Sequence, residues 1–301
     1  MNGIFRIFGT IFVTGLALSA LVACGGGGGS GSGVTYDGVA TQALINDTNA
    51  EQLAIDAYNG GNLSDSLVAP LSYGADQAQA LVPLATLLVN SLPPLDFAPT
   101  VHAQATSSEV LYGSCGGSAT MTVSEGSTSA SGSIVYSSYC DAGVTLSGSI
   151  SFTASVNTQT GIVSMSMRFG ELTTAEGTLY GNVSMRYNWS DPMAPLSMGM
   201  DIVITDAMEQ TYWIKDYSLE ITPGTGLYDS VEFSGTYYDF DRGYVAITTT
   251  TPLQVDSFTG VLEAGSLHFA GREGTYADLV ANGGGNFTLT VSTGTIINGT
   301  F

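Results

Sequence analysis

Between residues 144 and 156, small or apolar residues alternate with hydroxyl residues without a break. Val144, Leu146, Gly148, Ile150, Phe152, Ala154 and Val156 fall on one side, and Thr145, Ser147, Ser149, Ser151, Thr153 and Ser155 on the other. A period of two belongs to a β-strand with one face buried and one in water; a helix would scatter both sets around its axis. The pattern returns in Val163, Met165, Met167 and Phe169, in Val183, Met185, Tyr187 and Trp189, in Met198, Met200, Ile202 and Ile204, and in Phe287, Leu289 and Val291. Turn-forming runs separate these segments at residues 157–161, 223–226, 256–260, 282–285 and 293–294, and short turns join antiparallel neighbours. The spacing predicts about a dozen strands between Glu109 and Phe301, mostly in up-and-down order.

One apolar face per strand is compatible with a sandwich, a closed barrel or a curved half-open sheet. Helical segments before Pro93 are expected to cover exposed apolar face or an open end, which favours the half-open or plugged forms. The expected class is mainly β: an antiparallel up-and-down meander, half-open or closed and barrel-like, with a short N-terminal helical segment. Thr48 and Glu51 have the spacing of a capping box, and Gly60 with Gly61 reads as the stop of a first helix. Its apolar face is Ala50, Leu53, Ala54, Ala57 and Tyr58. A second helical candidate covers 75–90, with Pro83 inside it and an apolar stretch too short to span a bilayer. Pro93, Pro94 and Pro99 mark a connector.

Two internal echoes stand out. Val144, Thr145, Leu146, Ser147 and Gly148 resemble Val231, Glu232, Phe233, Ser234 and Gly235, and residues 156–162 resemble 255–261. A duplicated sheet and convergent hairpin chemistry both account for them.

The chain has 301 residues and a formal net charge of −20, with six Lys plus Arg against 26 Asp plus Glu. Six cations cannot neutralise a phosphate backbone, which excludes nucleic acid as a partner. At 44% apolar and 11% charged residues, the chain is too apolar for a mainly disordered protein.

The N-terminus carries one cation, Arg6, then an uncharged apolar run ending in Leu21, Val22, Ala23 and Cys24. This is the layout of an export signal, and Leu-Val-Ala-Cys resembles the lipobox of bacterial lipoproteins. That resemblance implies that Cys24 is acylated, palmitate among its possible chains, and becomes the new N-terminus. Gly25 after the Cys, in place of Asp, implies sorting to the outer membrane. Several acyl chains together hold a soluble domain stably at a bilayer. The run 25–33, all Gly and Ser, is a flexible tether. With Arg6 gone, five cations face 26 carboxylates. Anionic headgroups repel such a surface, so the acyl chains are expected to supply the attachment. With Cys24 acylated, Cys115 and Cys140 remain, and an exported chain is expected to join them in one disulfide.

The expected organisation is a signal peptide over 1–23, the lipidated Cys and tether over 24–38, a helical cap over 39–92, a linker over 93–108 and an antiparallel β domain over 109–301. The leader, the tether, Asn49 to Ala54 in the first helix, and the stretches 243–253, 259–262 and 267–271 are similar to uncharacterised bacterial outer-membrane lipoproteins. The resemblance implies a β-rich envelope protein and brings no catalytic residues with it.

No Gly-x-Ser-x-Gly elbow and no His-Glu-x-x-His helix is present. His102 falls in the connector and His268 in a strand-like run. The densest local cluster is Tyr237, Tyr238, Asp239, Phe240, Asp241, Arg242, Gly243 and Tyr244. Its alternating carboxylates are one short of an EF-hand loop, and Thr250 stands where the bidentate Glu would be. Its aromatics beside carboxylates suit a sugar, and its Asp and Gly suit a plain hairpin tip. Tyr238, Asp239, Asp241 and Tyr244 are therefore the candidate ligand contacts, with no metal and no cofactor expected. The terminal Phe301 resembles the closing strand of outer-membrane barrels.

The leading expectation is a non-catalytic binding or structural β module, lipid-anchored at the outer membrane and facing the periplasm or the surface. The alternatives are a carrier of a lipid or other hydrophobic ligand in an apolar groove, and an integral barrel. The expected contacts are the membrane through Cys24 and a hydrophobic or carbohydrate ligand.

Overall fold

The computed structural model describes residues 35–68, 105–141, 144–175, 177–191, 193–206, 208–257 and 259–301, with the backbone alone for 61–68 and 105. Cys24, the tether, His102 and the helical candidate at 75–90 lie outside the described residues.

Fourteen strands form one antiparallel sheet in which each pairs with its neighbours in sequence. They are β1 Ala105–Tyr112, β2 Gly116–Glu125, β3 Ser129–Asp141, β4 Val144–Asn157 and β5 Ile162–Thr173. Then follow β6 Gly177–Asn188, β7 Leu196–Asp206, β8 Thr211–Thr222, β9 Tyr228–Asp239 and β10 Gly243–Asp256. The last are β11 Leu262–Ala270, β12 Tyr276–Gly283, β13 Asn286–Val291 and β14 Ile296–Thr300. A helix, α1 Ala50–Val68, precedes them. The meander is as expected from the period-two pattern, and the sheet is open: β1 and β14 do not pair with each other. The first strand begins at Ala105, inside the stretch read as linker.

Away from the edge strands, the apolar set of the strands points inward. Ile150, Phe152 and Ala154 of β4, Phe169 of β5, Val183 of β6, Ile202 of β7, and Leu289 and Val291 of β13 are all buried, and with α1 they belong to one contiguous core. The outer face carries hydroxyls instead. Thr106, Ser124, Ser131, Thr153, Ser166 and Ser184 stand opposite one another in an unbroken row across β1 to β6.

Bulges bend the sheet. On β5, Glu171 takes a left-handed φ of 51° and Gly148 of β4 faces it with φ 120°. A Cβ at Gly148 would lie 2.2 Å from the Glu171 carbonyl oxygen. On β8, Asp216 has φ 53°, and a Cβ on the facing Gly235 would lie 2.2 Å from Cδ1 of Tyr217. An extra residue on one strand with a glycine opposite it is how a sheet gains curvature. The first echo is thereby explained, since Gly148 and Gly235 both receive a bulge. The second echo lies in the β4–β5 and β10–β11 turns, where Gly161 and Gly260 donate to the carbonyls of Asn157 and Asp256 at 2.8 and 2.9 Å. A duplication would have to place β4 on both β9 and β10, so the two echoes are local chemistry used twice.

The edges are blunted differently. Glu109 of β1 stands opposite the buried Met121, so the edge strand turns a charge toward the apolar side, while β14 is only five residues long. Both are recognised protections against pairing with another chain.

The helix departs from expectation at both ends. Asn46, not Thr48, organises its start: the Asn46 side-chain oxygen accepts from the Thr48 backbone N–H and hydroxyl at 2.9 and 2.7 Å. The helix also continues through Gly60 and Gly61 to Val68. At Gly60 a Cβ would meet Ile214 and the Tyr217 hydroxyl at 3.3 and 3.4 Å, so this glycine permits close packing of α1 on β8 and does not end the helix. Cys115 and Cys140 stand at disulfide distance, with sulfurs 1.92 Å and Cα atoms 5.1 Å apart.

Replacing Gly148 by Ala is expected to lower the unfolding free energy by about 1–3 kcal/mol through the forced backbone shift. Gly226→Ala, where nothing lies within 4 Å, is expected to change it little. Chemical denaturation of the two variants checks the difference.

Candidate functional site

The candidate contacts lie at the tip of the β9–β10 hairpin, and a strap formed by residues 35–49 crosses that tip. The β7–β8, β9–β10, β11–β12 and β13–β14 turns share one rim, and the strap runs along it. Val39 N–H donates to the Phe240 carbonyl (2.9 Å), Ala43 N–H to Tyr244 (2.8 Å), Tyr244 N–H back to Thr41 (3.0 Å) and Arg272 N–H to Ala43 (2.8 Å). At one end Asp37 N–H donates to the Thr211 hydroxyl (3.0 Å), which in turn donates to the Asp37 carboxylate. At the other end the Thr293 hydroxyl donates to Asp47. The chain then turns inside the sheet as α1, where the buried Tyr217 donates its hydroxyl proton to the Ala57 carbonyl at 2.9 Å.

The four predicted contacts do not converge. Tyr238 and Tyr244 face outward in one row with Trp213, directly opposite each other on β8, β9 and β10. The Tyr238 ring lies between the other two, with centroids 4.9 Å from each and planes inclined by 28° and 38°. The Trp213 pair is stacked and the Tyr244 pair tilted, and the indole N–H at the Trp213 edge donates to Asp201 at 2.6 Å. Tyr36 of the strap packs edge-on against Tyr238 at 5.2 Å, and the Lys215 ammonium lies 4.7 Å from the Trp213 centroid. A sugar ring stacks on an open aromatic face, and here those of Tyr238 are taken.

Asp239 points the other way and is only 3% exposed. Its carboxylate accepts from the backbone N–H of Asp241 (3.1 Å) and Arg242 (2.8 Å) and pairs with the Arg242 guanidinium at 2.8 Å. It therefore holds the hairpin turn closed, while Asp241 is exposed at the tip. Among the described residues no group of three His, Cys, Asp or Glu side chains is placed to hold a metal ion.

Arg242 also approaches Asp56 of α1, at 3.8 Å, joining the hairpin tip to the helix. Asp56 accepts from Gln52 at 2.7 Å. Burial pushes its carboxyl up to about 6 and the Asp239 charge adds to that, against the opposing pull of Gln52 and Arg242. Tyr237, facing the same interior, is raised well above 10.0 by burial and by the Asp56 and Asp239 charges. The histidine in the strand, His268, lies on the outer face with Nδ1 2.6 Å from Asp278, and stands opposite Thr248. Among the described residues no hydrogen bond links Thr248 to it.

Sequence reasoning missed Tyr36, Trp213, Asp56 and Asp278. Tyr36 and Asp56 meet partners about two hundred residues away through the strap and the helix, whereas strand pairing brings Trp213 to Tyr238 and Asp278 to His268. The chain matches no known protein family, no curated protein and no solved structure.

Two measurements test this geometry. The folded-state value of Asp56 lies above the unfolded 3.8, so folding takes up a proton between the two values and stability falls as pH rises through that window. Asp56→Asn is expected to remove this fall, matching wild type near pH 4 and exceeding it by about 1–3 kcal/mol at neutral pH. Thr211→Val, which removes both bonds to Asp37, is expected to cost about 1–3 kcal/mol, read as a lower denaturation midpoint.

Proposed function

We propose that this protein is a lipid-anchored protein of the bacterial envelope, held at the outer membrane by acyl chains on Cys24 and acting as a non-catalytic structural or binding β module. The observation that carries the reading is the strap. The first described residues are fastened along one rim by backbone hydrogen bonds to the β9–β10 tip, β10 and the β11–β12 turn, and by side-chain bonds at Thr211 and Thr293. A flexible Gly/Ser tether would thus pass directly into a rigid body, and a pull on the anchor would be shared across several hairpins.

The distribution of side chains supports a module in water over an integral barrel. A barrel in lipid needs closure and an apolar outer band; this sheet is open, with apolar residues inside and hydroxyls outside. The described inner face belongs to one packed core, which gives carriage of a hydrophobic ligand no specific support.

Labelled palmitate fed to cells expressing the full chain is expected to appear in the wild-type protein and to be absent from Cys24→Ala, which then leaves the membrane fraction. Unlabelled wild type, or label retained in the variant, would overturn the anchor. Hydrolysis or group transfer by the purified protein, lost on one carboxylate substitution, would overturn the non-catalytic part.

A further inference from the structure

We propose that the strap rim is a membrane-contact face, and that it rests on an uncharged, zwitterionic headgroup surface through exposed apolar tips. The inference builds on the reading of Cys24 as the acylated residue. Four side chains form the tips: Val39 and Leu44 on the strap, Met208 in the β7–β8 turn and Ile296 at the start of β14, exposed by 39, 37, 75 and 64%. Behind them, Tyr36 and Trp213 lie in the outer aromatic row, close to the rim. Trp and Tyr are the side chains that favour the boundary between headgroups and water, because each joins an apolar ring to a polar atom. The boundary does not need open ring faces, so the stacking that disfavours a sugar is no obstacle here.

Exposed apolar tips also occur on the opposite rim, at Trp189, Met193 and Leu227. The point of chain entry separates the two rims. Thr35 follows Cys24 by 11 residues (35 − 24), a random-coil span of about 17–20 Å for a Gly/Ser-rich chain. The far rim lies a strand's length beyond, about 40 Å for the 12 residues of β8. A tether this short keeps the strap rim at a high effective concentration near the bilayer, where weak apolar contacts suffice.

Charge narrows the surface that fits. Asp37, Asp47, Asp206, Glu209, Asp241 and Glu273 lie on or beside this rim. Of the cations beside it, Arg242 is paired with Asp239, Arg272 lies 3.9 Å from Glu273, and Lys215 lies over the Trp213 ring. Anionic lipid is repelled, whereas a zwitterionic surface offers apolar tips a place without that cost.

The two tryptophans report from opposite rims. The acylated full chain is reconstituted in vesicles of brominated phosphatidylcholine, with Trp189→Phe leaving Trp213 as reporter and Trp213→Phe leaving Trp189. Trp213 emission is expected to be quenched and Trp189 emission spared; Met208→Glu, or added phosphatidylglycerol, should relieve the quenching without releasing the protein from vesicles. Vesicle-bound protein with neither tryptophan quenched, or with Trp189 quenched more, overturns the contact and leaves the anchor standing. A chain with no acyl mass on its Cys24 peptide that also fails to float with vesicles overturns both readings. A Trp213 response to soluble neutral oligosaccharide without lipid quenching overturns the contact in favour of a sugar site.

Discussion

An antiparallel sheet with one apolar face has to hide that face, and here it does so without closing. Closure would remove both the edges and the exposed face in one step. With β1 and β14 not paired to each other, the work falls to curvature and to cover. Bulges at Glu171 and Asp216, each met by a glycine across the strand pair, bend the sheet around its own apolar side chains. The N-terminal helix then fills part of the interior, with Ala50, Leu53, Ala54 and Ala57 buried against the sheet. Neither device is sufficient alone, because a flat sheet could not be covered by one helix and a curled one would leave its middle open.

The strap follows from that arrangement. A helix inside the sheet must enter across a rim, and residues 35–49 make the crossing by borrowing carbonyl and N–H groups from the hairpin tips. The same rim collects the groups that look functional in sequence. Asp239 secures its turn, Arg242 reaches from that turn to Asp56, and Tyr36 closes against the stack of Trp213, Tyr238 and Tyr244. What reads as a ligand cluster along the chain is, in three dimensions, mostly the joint between strap, helix and sheet. Its carboxylates are divided: Asp239 and Asp56 work inside the joint, and Asp241 stays at the surface.

Strand existence, order and facing were legible because they depend on neighbours in sequence. Alternation at 144–156 assigns each side chain to a face, and the Asn157 to Gly161 run assigns the turn, both from local stereochemistry. The end of α1 was misread for the converse reason. Two consecutive glycines are a stop signal in isolation, yet packing against Ile214 and Tyr217 makes a missing side chain at Gly60 an advantage. The capping box failed similarly: the helix starts at Ala50, one residue later than a Thr48 cap requires, and the Thr48 N–H and hydroxyl are engaged by Asn46.

By itself the sequence determined a mainly β chain in hairpin order, an apolar and a hydroxyl face, a surface hostile to phosphate backbones, and a short helical segment ahead of the sheet. Composition, period and turn chemistry are properties of the chain within a few residues or summed over all of it, so they survive without coordinates. Only the tertiary structure decided that the sheet stays open, that Gly148 and Gly235 serve bulges and not a duplication, and that Tyr36 meets Tyr238 across about two hundred residues of chain. Those outcomes depend on register and on which distant surfaces come to touch, and a shift of one residue in a ladder moves that strand's side chains to the other face.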